Sequence, residues 1–215
     1  MDENTKEDNK SNKLKAIIGL TFIVVFIVVF MIVKYATQKG IFSDVDNQGS
    51  QQNVADYYFN DTSTWKDFNS TLGHFKASFP VYPIHETQSL NLARGYSSNM
   101  EMYSAEEPNG SFYLITFTEY PPQIDMGNAI SEDVLEGSMN GTIKSLDGTL
   151  VSSNFTYFGS YRAIDYLIYK KDGTAYVKGK NILVGQRMYQ IVVSYEPNNS
   201  SDIQYDRFVN SFLLE

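Results

Sequence analysis

Between Lys15 and Lys34 the chain runs through eighteen residues, AIIGLTFIVVFIVVFMIV, without a charge. Only Gly19 and Thr21 interrupt the apolar series. At about 1.5 Å per residue, a helix of this length covers roughly 27 Å, close to the hydrocarbon thickness of a bilayer. A helix packed in a soluble core keeps a polar stripe, and this run has none. The apolar region of a cleaved secretory signal is shorter, about 7–15 residues, and ends in a small-x-small site. Here KYATQKG follows instead. The stretch therefore reads as an uncleaved transmembrane helix over residues 14–34. Lys6, Lys10, Lys13 and Lys15 precede it, whereas only Lys34 and Lys39 lie close on the far side. The positive-inside rule then places the polar tail, residues 1–13, in the cytoplasm and the rest of the chain outside.

Past the anchor, ATQKGIFSDVDNQGSQQNVAD is rich in Gln, Asn, Ser, Gly and Asp. Residues 35–56 read as a flexible linker, and residues 57–215 as one extracytoplasmic domain. Beyond residue 34 the chain carries 12 Lys and Arg against 21 Asp and Glu, a net charge of −9. Nucleic acid requires a basic stripe, so it is excluded as a partner. An acidic domain of this kind is also repelled by anionic lipid headgroups. The chain has no Cys, which removes disulfides, thiolate metal sites and a Cys nucleophile. A cysteine-free extracytoplasmic domain suits a bacterial envelope better than a eukaryotic secretory route.

The domain alternates strand and turn signals. YYFNDTSTWKDF reads as its first packed segment. Phe75, Ala77 and Phe79 alternate in a first strand over 74–79, stopped by Pro80 and Pro83. A second strand is predicted near 98–104. SFYLITFTEYPP is apolar on both parities, as in a strand covered on both faces. Ile130, Val134, Leu135, Met139 and Ile143 recur at helical spacing, with Ser131, Glu132 and Asp133 suited to the first turn. Gly137 and Gly141 weaken that helix. Strands follow at about 149–158, 161–170 and 174–183, the last two joined by an Asp-Gly turn in KKDGT. RMYQIVVSYEP returns with Tyr189, Ile191, Val193 and Tyr195 on one face. A final helix carries Tyr205, Phe208, Val209, Phe212 and Leu213 as one stripe, capped by Ser200, Ser201 or Asp202. This order implies an α+β fold, an antiparallel sheet with helices packed on both faces.

HFKASFPVYP, FYLITFTEYP, GQRMYQIVVSYEP and the closing RFVNSFLL together resemble the PsbP-like superfamily, over roughly residues 65–215. That superfamily takes in an extrinsic subunit of photosystem II, a Ran-binding nuclear protein and bacterial membrane-anchored domains. The resemblance implies an α/β/α sandwich and a role in binding or stabilising another protein. It transfers no functional residue, because the matched positions are core and turn positions.

Chemistry-bearing residues are sparse. The two histidines are His74, expected to face away from Phe75's side, and His85, expected in a loop after the proline corner. With Glu86 they form at most a partial metal set, lacking the His-x-x-x-His spacing and a clear third ligand. The carboxylate pairs Glu106–Glu107 and Glu132–Asp133 read as solvated turn or helix-terminus acids, although two such groups in a cleft serve glycoside hydrolysis. Asp44, Asp46 and Asn47 only faintly resemble a calcium loop. Arg162 and Asp165 stand three apart on a strand, thus on opposite faces. Beyond the apolar run, Asn-x-Ser/Thr sequons begin at Asn60, Asn69, Asn109, Asn140, Asn154, Asn198 and Asn199, and read as an Asn- and Ser-rich surface. No catalytic, cofactor-binding or metal-ligating residue is assigned, and no cofactor is expected. The resulting expectation is a membrane-anchored binding module acting on another envelope protein. The alternatives are an assembly subunit of a membrane complex, or a hydrolase built from dispersed carboxylates and His.

Overall fold

The computed structural model describes residues 65–92, 95–124, 126, 131–199 and 204–215. The tail, transmembrane helix and linker expected over 1–56, with residues 57–64, lie outside them, as do Ile130, Ser200, Ser201 and Asp202. Among the described residues no helix is long and apolar enough to cross a membrane. The elements run β1 (Lys66–Ser70), β2 (Phe75–Phe79), β3 (Ile84–Asn91), β4 (Ser97–Glu106), β5 (Phe112–Glu119), α1 (Ser131–Ser145), β6 (Gly148–Phe158), β7 (Tyr161–Lys170), β8 (Tyr176–Val184), β9 (Arg187–Tyr195), α2 (Tyr205–Ser211) and β10 (Leu213–Leu214).

β5 shows how the layers are organised. Phe112 to Thr118 are all buried, yet alternate residues serve different cores because successive strand side chains point to opposite faces. Phe112 and Leu114 join one cluster with Val134, Leu135 and Met139 of α1. Tyr113, Ile115 and Phe117 join another with Phe75 and Phe79 of β2 and Phe208 of α2. The strand belongs to a seven-stranded antiparallel sheet in the order β3-β4-β5-β9-β8-β7-β6. α1 covers one face, against β6, β7 and β8. The other face is covered by α2 together with a three-stranded sheet in the order β1-β2-β10. The expected α+β arrangement, an antiparallel sheet with a helix on each face, is present.

Several local expectations are corrected. The Phe75–Phe79 strand does not enter the main sheet; it pairs with β1 and β10 in the small one. Its prolines end it and let the chain cross to the main sheet at Ile84. β3 is an additional strand, and it contains His85, which is not in a loop. IHETQSLN has only Ile84 and Leu90 as apolar members of one parity, so hydrophobic alternation does not reveal it. α2 stops at Ser211. Phe212 takes an extended conformation, and Leu213 leaves the helical stripe to pair with Lys76 in β10. The residue before α2 is Gln204, and its side chain makes no capping hydrogen bond.

Gly137 and Gly141, poor helix formers, are buried on the sheet-facing side of α1. Ser138 and Thr142 share that side, and Ser138 Oγ accepts hydrogen bonds from Asn181 Nδ2 at 2.9 Å and Gln190 Nε2 at 3.1 Å. Small side chains let the helix approach closely, and Ser138 Oγ gathers both amide donors, while Asn181 Oδ1 is buried without a hydrogen-bond partner. Gly179 serves a related purpose. Tyr166, its cross-strand neighbour, lays its ring where a Cβ would come within 2.3 Å of it.

Candidate functional site

The register of β3 against β4 brings a histidine to a carboxylate. His85 stands opposite Tyr103, and Thr87 opposite Glu101. All four side chains therefore share one face of the sheet. His85 Nε2 donates to Glu101 Oε2 at 2.7 Å, and Thr87 Oγ1 donates to the same oxygen at 2.6 Å. The His85 ring lies parallel on the Tyr103 ring, with centroids 4.6 Å apart. Tyr103 in turn accepts a hydrogen bond from Ser70 Oγ of β1 at 2.6 Å. Glu101 is buried while the His85 side chain is 44% exposed. Burial, foremost, holds the Tyr103 phenol above its usual range.

An imidazole held by a carboxylate is also what the base and its orienter look like in a nucleophilic triad. The nucleophile is missing among the described residues. Thr87 spends its hydroxyl proton on Glu101. Ser70 is buried, donates to Tyr103 and accepts from the backbone N–H of Gly73 at 2.8 Å. Neither hydroxyl is bonded to His85. The cluster ties the edge strand β3 to β4 and meets the small sheet through Tyr103. Sequence reasoning missed Thr87 and Glu101 because β3 itself was missed. The signal available was His-x-Thr, two polar residues of one parity following a proline corner.

The other singled-out residues do not converge. His74 is exposed at the turn into β2 with a φ of 53°, but its ring lies edge-on to Phe117 with centroids 6.5 Å apart, so it borders the cluster that holds Phe75 instead of facing away from it. Glu86 lies on the opposite parity of β3 from His85 and does not join it. Glu107 is not a merely solvated acid: its Oε2 accepts from the buried Tyr113 hydroxyl at 2.7 Å, and burial raises its carboxyl above the usual range. Glu132 pairs with Arg162 at 2.7 Å. Asp165 pairs with Lys180 at 2.6 Å. Arg162 and Asp165 are thus on opposite faces and have different partners. Among the described residues no group of three His, Asp or Glu is placed to hold a metal ion. Asp44, Asp46 and Asn47 lie outside the described residues, as does the sequon at Asn60. Asn109 and Asn199 serve loop structure: Asn109 Oδ1 accepts from the Ser111 N–H, and Asn199 Nδ2 donates to the Asn109 carbonyl.

Four of the ten large apolar side chains exposed among the described residues lie on β6, and Val81, Tyr82 and Ile84 form a second group at the start of β3. β6, GTLVSSNFTYF, has no charge and no proline over eleven residues. It is the last strand of the main sheet. Leu150, Val151, Phe155 and Tyr157 are exposed along it, Tyr157 at 66%. Arg162 of β7 lies over two of these rings, 5.3 Å from the Phe155 centroid and 4.7 Å from that of Tyr157. An edge strand offers unpaired backbone N–H and C=O groups to another strand.

No family model matches the chain, and no curated protein matches it. Among solved structures it is similar to the solution structure of cyanobacterial PsbP (CyanoP) from Synechocystis sp. PCC 6803. The two share 11% sequence identity with a TM-score of 0.48, over 78% of this chain and 99% of the other.

Proposed function

We propose that this protein is a single-pass membrane protein whose extracytoplasmic domain binds another envelope protein, without catalysis. The observation that carries this reading is how the polar groups are used. The described carboxylates near other functional groups are engaged in pairs that tie elements together: Glu101 with His85, Glu107 with Tyr113, Glu132 with Arg162, Asp165 with Lys180. The apolar side chains of β6 are left facing outward. The eighteen-residue apolar run supplies the anchor, and residues 35–56 supply the reach. The test is copurification of the full chain from detergent-solubilised membranes, read by mass spectrometry. The reading expects a stoichiometric partner other than this chain itself. Recovery of the chain without one contradicts it.

A hydrolase is the second reading, and the His85–Glu101 pair is the observation in its favour. If the pair were catalytic, His85→Ala would abolish a hydrolytic activity found by substrate screening and leave partner binding intact. A structural clamp would instead lower thermal stability, with no activity to lose.

A further inference from the structure

We propose that the outer edge of β6 pairs antiparallel with β6 of a second copy of this chain, joining two main sheets across a two-fold axis at Phe155. The main sheet has two edges, and they are built differently. β3 carries Glu86 and His85, and Pro83 precedes it. Like charges would meet if two such strands paired. β6 has none of these guards apart from a bulge at Val151, where the register against β7 shifts between Leu150 and Ser152. In the small sheet, β1 carries Lys66 and Asp67, and β10 has two residues. β6 is the one long uncharged edge among the described residues, and no described strand pairs with its outer side.

The bulge sets the register. The regular ladder of β6 runs from Ser152 to Phe158, and its midpoint is Phe155. Full antiparallel overlap of two such ladders places Phe155 opposite Phe155, Ser153 opposite Tyr157, and Asn154 opposite Thr156. Ser153, Phe155 and Tyr157 share the face covered elsewhere by α1, since they stand beside Tyr166, Ile164 and Arg162. Two Phe155 and two Tyr157 rings then gather on one surface, flanked by the two Arg162 side chains that already lie over them.

Charge selects a second copy over an acidic or basic peptide. β6 brings no charge to the seam, and the charges behind it on β7 are paired locally, Arg162 with Glu132 and Asp165 with Lys180. The Asp165 residues of two paired copies are separated by three strand spacings, about 14 Å, beyond the screening length of about 8–10 Å. Acidic domains can therefore meet here without facing repulsion. A two-fold pairing also closes, because it consumes the same edge on both copies. The proposal rests on the anchored reading in one respect: a shared membrane raises the effective concentration across a small interface.

The chain has no native cysteine, so disulfide mapping is clean. Asn154→Cys and Thr156→Cys chains, distinguishably tagged, are coexpressed at full length and oxidised in membranes. The expected result is a mixed disulfide at least fivefold above either homodisulfide and above a Ser89→Cys control on β3. Adding Tyr157→Lys to both chains is expected to reduce it at least fivefold while the domain still unfolds in one cooperative transition. A mixed disulfide at the control level overturns the proposal, as does one that Tyr157→Lys leaves unchanged. Dominant homodisulfides overturn the Phe155 axis. If the chain fractionates with soluble proteins, the anchored reading fails on that observation, and the disulfide pattern still decides the edge.

Discussion

Glu132 illustrates how single charges are used in this fold. It sits in the first turn of α1, where its carboxylate accepts from its own backbone N–H and from Arg162. Those bonds, the backbone one first, lower its pKa from 4.5. A lowered acid contributes stability that is fully present above its unfolded value and is lost as pH falls through the folded value. Glu132→Gln should therefore reduce stability at pH 7, while the gap between variant and parent should narrow as pH falls below the ordinary carboxyl value. Urea unfolding at pH 7 and pH 3 checks this; a gap unchanged at pH 3 would mean that the carboxylate's charge is irrelevant. Glu107 acts in the opposite sense. Its raised carboxyl makes ionisation unfavourable in the folded state, so its contribution declines as pH rises from the ordinary carboxyl value through the raised one.

At the scale of elements, the C-terminal segment shows what sequence could and could not convey. Tyr205, Phe208, Val209 and Phe212 are buried as their spacing implies. The spacing also put Leu213 on the stripe, but that residue is 58% exposed. Helical periodicity cannot detect that two residues at the end pair with β2 instead, because the pairing depends on a strand more than a hundred positions earlier. The same limit hid β3 and with it the His85–Glu101 contact. The long strands β5 to β9, whose patterns are dense and locally bounded by turns, were readable within a residue or two. α2 is short and lacks a side-chain cap, so packing rather than propensity holds it. Phe212 is 1% exposed and its ring contacts those of Phe75, Phe158 and Tyr189. Phe212→Ala should cost about 3–5 kcal/mol. A melting temperature within a degree or two of the parent would contradict a core role for this segment.

Considered as a whole, the molecule draws its described stability from two apolar clusters on the faces of one sheet. A chain starting at Tyr57 should therefore fold without metal. Its thermal unfolding with and without EDTA should superimpose; a fall of about 5 °C, roughly 1 kcal/mol or more for a domain of this size, would reveal a structural ion. The proposed function places this domain outside a membrane on an N-terminal anchor. Cysteine accessibility tests it most directly. In intact cells, an impermeant thiol reagent should label Ser50→Cys and reach Ser11→Cys only after permeabilisation. Labelling of Ser11→Cys with protection of Ser50→Cys would contradict the orientation, and equal labelling of both only after lysis would contradict the anchor's crossing of the membrane.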